Sequence, residues 1–191
     1  FFRAWLYANL IQRYGGVPII KTVYGLGEEY NATRATFDEC VAFILEDLKL
    51  AKENLPTYDK ALKGRANVDI AMALEARFTL IVASEYFSDP SDPAPADPLT
   101  KGAYSKTKWD NALKANKAFL DECGSHYSLP AKYSDFWTNS GSTEIIWAKY
   151  FNNTSGDLAN RTAKAQYYYG PASLGGWRGC APTEALIIDY E

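Results

Sequence analysis

One long apolar helix, predicted over residues 67–87, constrains the fold of this chain more than any other stretch. Asn67 is a favourable N-cap, and Ser88-Asp89-Pro90 is typical of a helix end. A helix of that length extends roughly 30 Å. Its charged side chains do not share one stripe, and no charge lies between Phe78 and Ala83, yet the stretch is too charged to span a membrane. A helix that is apolar on most sides needs neighbours on most sides, so we expect other helices to surround it.

Three further amphipathic helices are predicted. The first covers residues 1–14 and ends at Gly15, with Phe2, Trp5, Leu6, Leu10 and Ile11 near its inner face. The second begins at the capping box Thr36-Phe37-Asp38-Glu39 and ends at Leu55, and its expected core face carries Phe37, Val41, Ile44, Leu45, Leu48 and Leu55. The third begins at a similar box, Thr107-Lys108-Trp109-Asp110, and its helix to Gly124 carries Trp109, Ala112, Leu113, Ala115, Phe119 and Leu120.

The spacing of the two capping boxes indicates stacked helix pairs. Thr36 and Thr107 are 71 residues apart, about two repeats of roughly 34 residues with a short insertion. The simplest interpretation is a mainly α fold of tetratricopeptide-like helix pairs with long loops and a little β-structure. With 191 residues, the chain is one domain or part of a larger one. Because it begins and ends inside helical patterns, we interpret it as an internal piece of a longer protein.

The helical periodicity of the sequence is lost after Tyr127, which suggests a helical layer over residues 1–127 and a loop-rich portion over 128–191. Residues 144–151 are short, aromatic and β-branched, and they predict a strand. No amphipathic period survives over residues 152–182, whereas residues 183–190 are helical in pattern again. A long irregular segment within a compact domain is typical of a functional loop.

The irregular segment carries the residues that we predict to bind a ligand. Sugars present flat C–H faces that pack on aromatic rings and hydroxyls that pair with amides and guanidinium groups, so a sugar site needs both kinds of side chain together. The candidates are Asn152, Asn153, Arg161, Tyr167, Tyr168, Tyr169 and Trp177.

Other chemistries receive little support. Cys40, Cys123 and Cys180 lack metal-ligand spacing, and Cys40 and Cys123 are expected to be buried thiols. His126, the only histidine, is more typical of a turn than of a Ser-His-Asp triad. The aspartates of the proline-rich loop 89–98 do not match a calcium loop. We therefore predict no catalytic residue, metal or cofactor, and the net charge of −3 argues against a nucleic-acid partner.

Four short motifs, in order along the chain, resemble those of the SusD/RagB-like family. They are Phe2-Arg3-Ala4 followed by Tyr14-Gly15-Gly16-Val17-Pro18-Ile19; Gly64-Arg65-Ala66 before a helix containing Ala76-Arg77; Glu144-Ile145-Ile146-Trp147; and Pro182-Thr183-Glu184-Ala185-Leu186. The last departs from the family pattern, because Glu184 stands where glutamine is usual.

The resemblance implies a non-catalytic, lipid-anchored protein on the outer face of the bacterial outer membrane. Such proteins capture glycans or other nutrients and pass them to a SusC-like TonB-dependent transporter, and the anchor would lie outside this chain. From the residues alone, two alternatives stay open: a helical-repeat scaffold that binds protein or peptide, and a glycoside hydrolase, for which no carboxylate spacing points to a catalytic pair.

Overall fold

The computed structural model describes residues 1–29, 31–132 and 141–150, together with Ser173. These residues form four α-helices: α1 (Phe2–Tyr14), α2 (Phe37–Asn54), α3 (Val68–Ala83) and α4 (Lys106–Cys123). Two short 3₁₀ helices, Tyr58–Lys60 and Gly124–His126, lie in the connections. The described residues contain no strand, and the mainly α prediction is confirmed.

The helices stack in chain order. α1 packs on α2, α2 on α3, and α3 on α4, the arrangement expected for successive helix pairs. The chain divides into two compact units, Phe1–Ala148 and Lys149–Glu191; of the second, the structure describes Lys149, Tyr150 and Ser173. No helix among the described residues combines the length and the apolar character needed to cross a bilayer.

Three helices and one turn build the main core of the first unit. The rings of Phe37 and Phe87 stack with centroids 5.0 Å apart and planes 10° from parallel. The buried cluster comprises Ala4, Ala8 and Ile11 of α1, Phe37, Cys40, Ile44 and Leu48 of α2, Phe78 and Val82 of α3, and Phe87. The predicted inner face of α2 is therefore largely confirmed, and Val41 and Leu45 pack at its margin.

The central helix α3 is enclosed as its sequence predicts, but it is shorter. The Asn67 carboxamide oxygen accepts a hydrogen bond from the Ile70 amide at 2.9 Å, so the predicted N-cap is confirmed. The helix ends at Ala83 rather than at Phe87. Ser84 takes an extended conformation, and its carbonyl accepts bonds from the amides of Phe87 and Ser88. The resulting turn carries the Phe87 ring into the core, which a continued helix would not do.

The predicted inner face of α1 is wrong for most of its members. Phe2, Trp5, Leu6 and Leu10 are 37–58% exposed, whereas the buried face consists of Ala4, Ala8 and Ile11. Two alanines one turn apart give α1 a flat side that allows its backbone to approach the core closely. The large apolar side chains therefore lie on the outside.

Two other predicted features also differ. Ser105, not Thr107, caps α4: its hydroxyl accepts a bond from the Thr107 amide, and Asp110 pairs with Lys106 instead of closing a capping box. Ala112 and Cys123 are buried, whereas Trp109, Leu113 and Leu120 are exposed.

The predicted strand over residues 144–151 is not formed in its described part, residues 144–150, which consists of a turn, a bend and irregular chain. The amide of Ile145 bonds to the carbonyl of Ser142 within a turn. A β-branched run becomes a strand only when a neighbouring strand supplies backbone partners, and the described part of the chain supplies none here. Residue 151 lies outside it.

Gly15 and Gly16 are required by close backbone contacts where α1 ends. Gly15 has φ +70°, and a Cβ there would collide with the Leu99 carbonyl; one on Gly16 would collide with the Ala35 carbonyl. The Gly16 amide donates to the Leu99 carbonyl at 2.6 Å. The Arg34 guanidinium completes the turn by donating to the carbonyls of Gly16 and Tyr14. The turn thus joins three segments with no room for side chains.

Candidate functional site

The seven residues predicted to bind a ligand lie outside the described residues: Asn152, Asn153, Arg161, Tyr167, Tyr168, Tyr169 and Trp177. Their placement stays a prediction, as does that of Cys180. Aromatic and planar polar side chains also meet in the described part of the chain, at α1.

An aromatic cluster of Phe1, Phe2, Trp5 and Trp147 lies at the start of α1. The Trp147 ring meets Phe1 edge to face, with centroids 5.3 Å apart, and meets Trp5 at 5.8 Å with planes 84° apart. Phe2 packs at 6.1 Å from the same indole. The Trp147 Nε1–H also donates to the Gly64 carbonyl at 3.2 Å. Residues from three of the four sequence motifs therefore meet at one place.

An ion pair fixes α1 to α2 beside this cluster. The Arg3 guanidinium donates from Nε and Nη2 to both carboxylate oxygens of Asp47, each at 2.7 Å, and it lies 4.8 Å from the Phe43 ring centroid. The hydrogen bond from Arg3 holds the pKa of Asp47 below its usual range, and the same bond raises the pKa of Arg3. The arginine of the Phe2-Arg3-Ala4 motif thus links α1 to α2 through an ion pair.

A groove between α1 and α3, which we call the α1–α3 groove, opens next to Trp5. It has a volume of about 140 Å³ and is lined by Trp5, Ala8, Asn9, Gln12, Leu74, Arg77, Phe78 and Ile81. Trp5 is 37% exposed, whereas Ala8 and Phe78 form a buried floor. The groove therefore combines an aromatic ring with two amides and a guanidinium group, the chemistry that suits a sugar ring.

The polar residues of the groove are held by their own helix. Asn9 donates to the Trp5 carbonyl at 2.8 Å, and Gln12 donates to the Ala8 carbonyl at 2.7 Å. Arg13 donates to the backbone and side-chain oxygens of Asn9. These bonds fix the amides and leave the Gln12 side-chain oxygen without a donor among the described residues.

Sequence reasoning missed this groove, although a signal was present. Trp5, Asn9 and Gln12 follow the spacing i, i+4, i+7, which places an aromatic ring and two amides along one face of a helix. Assigning Trp5 to the core concealed that pattern. The contribution of Arg77 from α3 required the tertiary structure.

A second polar cluster surrounds His126, which lies in the short 3₁₀ helix after α4. Its Nδ1 is 2.7 Å from a carboxylate oxygen of the buried Asp69, and its ring stacks on Tyr58 at 4.3 Å. Within the described residues no serine hydroxyl is hydrogen-bonded to the imidazole. Burial, with a further contribution from the Asp69 charge, raises the pKa of Tyr127 and raises that of Cys123 to about 12. A thiol with so high a pKa stays protonated and is a poor nucleophile.

The remaining sequence candidates have local partners. Cys40 and Cys123 are buried free thiols, as predicted. In the proline-rich loop, the Asp89 carboxylate accepts bonds from Ser91, and Asp97 accepts one from the Leu99 amide. Among the residues that the structure describes, no group of three metal-ligating side chains is placed to hold an ion.

The four helices among the described residues stack in chain order in a tetratricopeptide-like arrangement, and comparison with known proteins shows what the chain is similar to. Residues 1–80 match the family model SusD-like_3, described as starch-binding and associating with the outer membrane. A comparison with curated proteins gives no match.

Solved structures extend the similarity beyond residue 80. A SusD-like protein from Bacteroides fragilis NCTC 9343 is 29% identical over 80% of this chain, with a TM-score of 0.56. A SusD-like carbohydrate-binding protein from the same organism has a TM-score of 0.65 over 92% of the chain at 19% identity. A structure solved with a xylogluco-oligosaccharide has a TM-score of 0.64 over 88%, also at 19% identity; at that identity the likeness concerns the fold. The family model over residues 1–80 and the SusD-like structure at 29% identity bear out the resemblance of this chain to SusD-like proteins.

The chain spans 26%, 29% and 31% of the lengths of these three structures. The alternative of a peptide-binding helical-repeat scaffold gains no support from the comparisons.

Proposed function

We propose that this chain binds carbohydrate without transforming it, as part of a glycan-capturing SusD-like protein. One observation carries the proposal: nearly all of the α1–α3 groove is built by residues 1–80, the stretch that matches a family described as starch-binding. A related fold was solved with a xylogluco-oligosaccharide, and another is a carbohydrate-binding protein. Stacking and a few hydrogen bonds suffice for affinities in the micromolar to millimolar range, roughly −8 to −4 kcal/mol.

The proposed cellular role is delivery to a transporter. The whole protein would be held by a lipid anchor outside this chain, on the extracellular face of the outer membrane. It would pass its glycan to a SusC-like TonB-dependent transporter. The stacked helices suit this role because a stiff layer of helices presents the same surface to a partner whether or not a ligand is bound.

Two sets of residues are proposed to contact the glycan. The first is the predicted loop set, with Trp177 and Tyr168 as its leading members, on the loop-rich portion 128–191. The second is the α1–α3 groove of the helical layer 1–127, with Trp5 as its exposed aromatic residue. Aromatic stacking on either set would be lost when the ring is removed.

Binding is tested by isothermal titration of the 191-residue chain with neutral and acidic oligosaccharides, including a xylogluco-oligosaccharide. Trp177→Ala and Tyr168→Ala test the loop, and Trp5→Ala tests the groove. Trp109→Ala is the matched control, because Trp109 is 42% exposed on α4, outside the groove. We expect at least one of the three test variants to weaken binding about tenfold and the control to leave it unchanged.

Absence of heat and of any thermal stabilisation across the whole panel would refute carbohydrate binding by this chain. Chemical transformation is tested separately by thin-layer chromatography after long incubation. Intact oligosaccharide is the expected result, and released shorter sugars would instead identify a hydrolase.

A further inference from the structure

The charge of the α1–α3 groove indicates which sugars it selects. Of the eight residues that line it, Arg77 is the only one with a charged side chain, and none carries a carboxylate. Arg77 is exposed, and its guanidinium forms no hydrogen bond or ion pair within the described part of the chain. Its five donors are therefore available to a ligand.

A second guanidinium lies at the α1 side of the groove. Arg13 is exposed and reaches only Asn9 of its own helix, at 3.1 and 3.4 Å. α1 carries no acidic residue, and both acids of α3 have partners: Asp69 lies 2.7 Å from His126, and Glu75 is paired with Lys52. The groove thus has a positive local charge in a chain whose net charge is −3.

We propose that the α1–α3 groove binds a sugar ring that carries a carboxylate, a uronic acid residue of an acidic glycan. The apolar face of the ring would pack on Trp5, its hydroxyls would pair with the amides of Asn9 and Gln12, and its carboxylate would accept the fork of donors from Arg77. A guanidinium matches a planar carboxylate with two parallel hydrogen bonds, which a neutral hydroxyl does not reproduce. This inference rests on the proposed function and names the class of glycan for the same groove.

The probes are methyl β-D-glucuronide and methyl β-D-glucoside, which share one ring and differ in the carboxylate. Titration of the full 191-residue chain, followed by saturation-transfer NMR at low salt, should give an affinity about tenfold higher for the glucuronide. Raising the salt concentration should reduce that ratio, because an exposed charge pair is screened. Acetate at equal concentration should not compete effectively, since it lacks the ring.

Three variants separate the contributions. Arg77→Met should reduce glucuronide affinity about tenfold and so remove most of the preference over the glucoside, whose affinity should fall much less. Arg65→Met is the matched control: it removes the same charge from an exposed residue that does not line the groove, and both affinities should persist. Trp5→Ala should weaken the binding of both glycosides, because both would pack on the Trp5 indole.

Equal affinities of the wild-type chain for the two glycosides would overturn the inference, and so would equal effects of Arg77→Met and Arg65→Met. If neutral oligosaccharides bind but the chain binds the glucuronide no more tightly than the glucoside, this inference alone fails. If no neutral or acidic glycan binds, carbohydrate binding itself fails for the chain. The wild-type ratio needs no substitution, so a variant that does not fold leaves that test intact.

Discussion

The ion pair between Arg3 and Asp47 is expected to contribute measurably to the stability of the helical stack. Replacing Arg3 with methionine removes two charge-assisted hydrogen bonds of 2.7 Å and leaves a carboxylate whose side chain is 9% exposed. Breaking a fully buried pair costs about 3–5 kcal/mol, whereas an exposed pair is worth about 0–1 kcal/mol. Because the Arg3 side chain is 45% exposed, solvent screens part of the interaction, and we expect a loss of about 2 kcal/mol.

The assay is urea unfolding followed by circular dichroism, supported by the melting temperature. For a chain of 191 residues, a loss of about 2 kcal/mol lowers the melting temperature by roughly 4–8 °C. Arg13→Met is the control, because Arg13 bonds only to Asn9 within its own helix, and its effect should stay within about 0.5 kcal/mol. A loss for Arg3→Met no larger than that of the control would refute the reasoning.

The same pair predicts a dependence on pH. The hydrogen bond from Arg3 lowers the pKa of Asp47 in the folded chain, whereas the unfolded value is about 3.9. A lowered carboxyl pKa contributes stability above the unfolded pKa and loses it as the pH falls through the folded pKa. The stability difference between wild type and Arg3→Met should therefore be constant from about pH 5 to 7 and shrink below about pH 4. A difference that persists unchanged at lower pH would contradict the assignment to Asp47.

Two further substitutions test local features by the same unfolding assay. Gly16→Ala should lower the free energy of unfolding by about 2–3 kcal/mol, because the new Cβ would collide with the Ala35 carbonyl and the backbone would have to move. Gly124→Ala is the control: Gly124 has φ −59° and open space around it, so the change should be neutral or slightly stabilising. Equal effects of the two substitutions would count against the close approach at Gly16. Thr36→Ala should cost about 1 kcal/mol, since it removes the hydroxyl that accepts the amide bond of the α2 capping box; no measurable loss would mean that the cap contributes nothing in solution.

Local signals in the sequence predicted the helices well where their ends depend on neighbouring residues. The capping box at Thr36, the N-cap Asn67 and the end of α1 at Gly15 all form as predicted, because each depends on hydrogen bonds within one turn. The all-round apolar character of α3 predicted its central position for a similar reason. The distribution of apolar residues around one helix indicates how much of its surface other parts of the chain cover.

Features that depend on a distant partner were not predicted. The end of α3 at Ala83 depends on the Phe87 ring stacking on that of Phe37, which is about fifty residues away along the chain. The chain from Glu144 to Tyr150 has β-forming residues, but no strand lies beside it among the residues that the structure describes. The cap of α4 at Ser105 rather than at Thr107 is a different case: it is a local difference of two residues at a helix end, where sequence patterns are least decisive.

The sequence by itself determined that this chain is mainly α and resembles SusD-like proteins, because helix periodicity and short motifs depend only on residues close together in the chain. Only the tertiary structure decided that the inner face of α1 is made of Ala4, Ala8 and Ile11, which leaves Trp5 on the surface. It also brought Trp5 beside Arg77, which lies on another helix. The physical reason is that periodicity shows which residues share a helix face, whereas close packing against the other helices decides which face becomes buried.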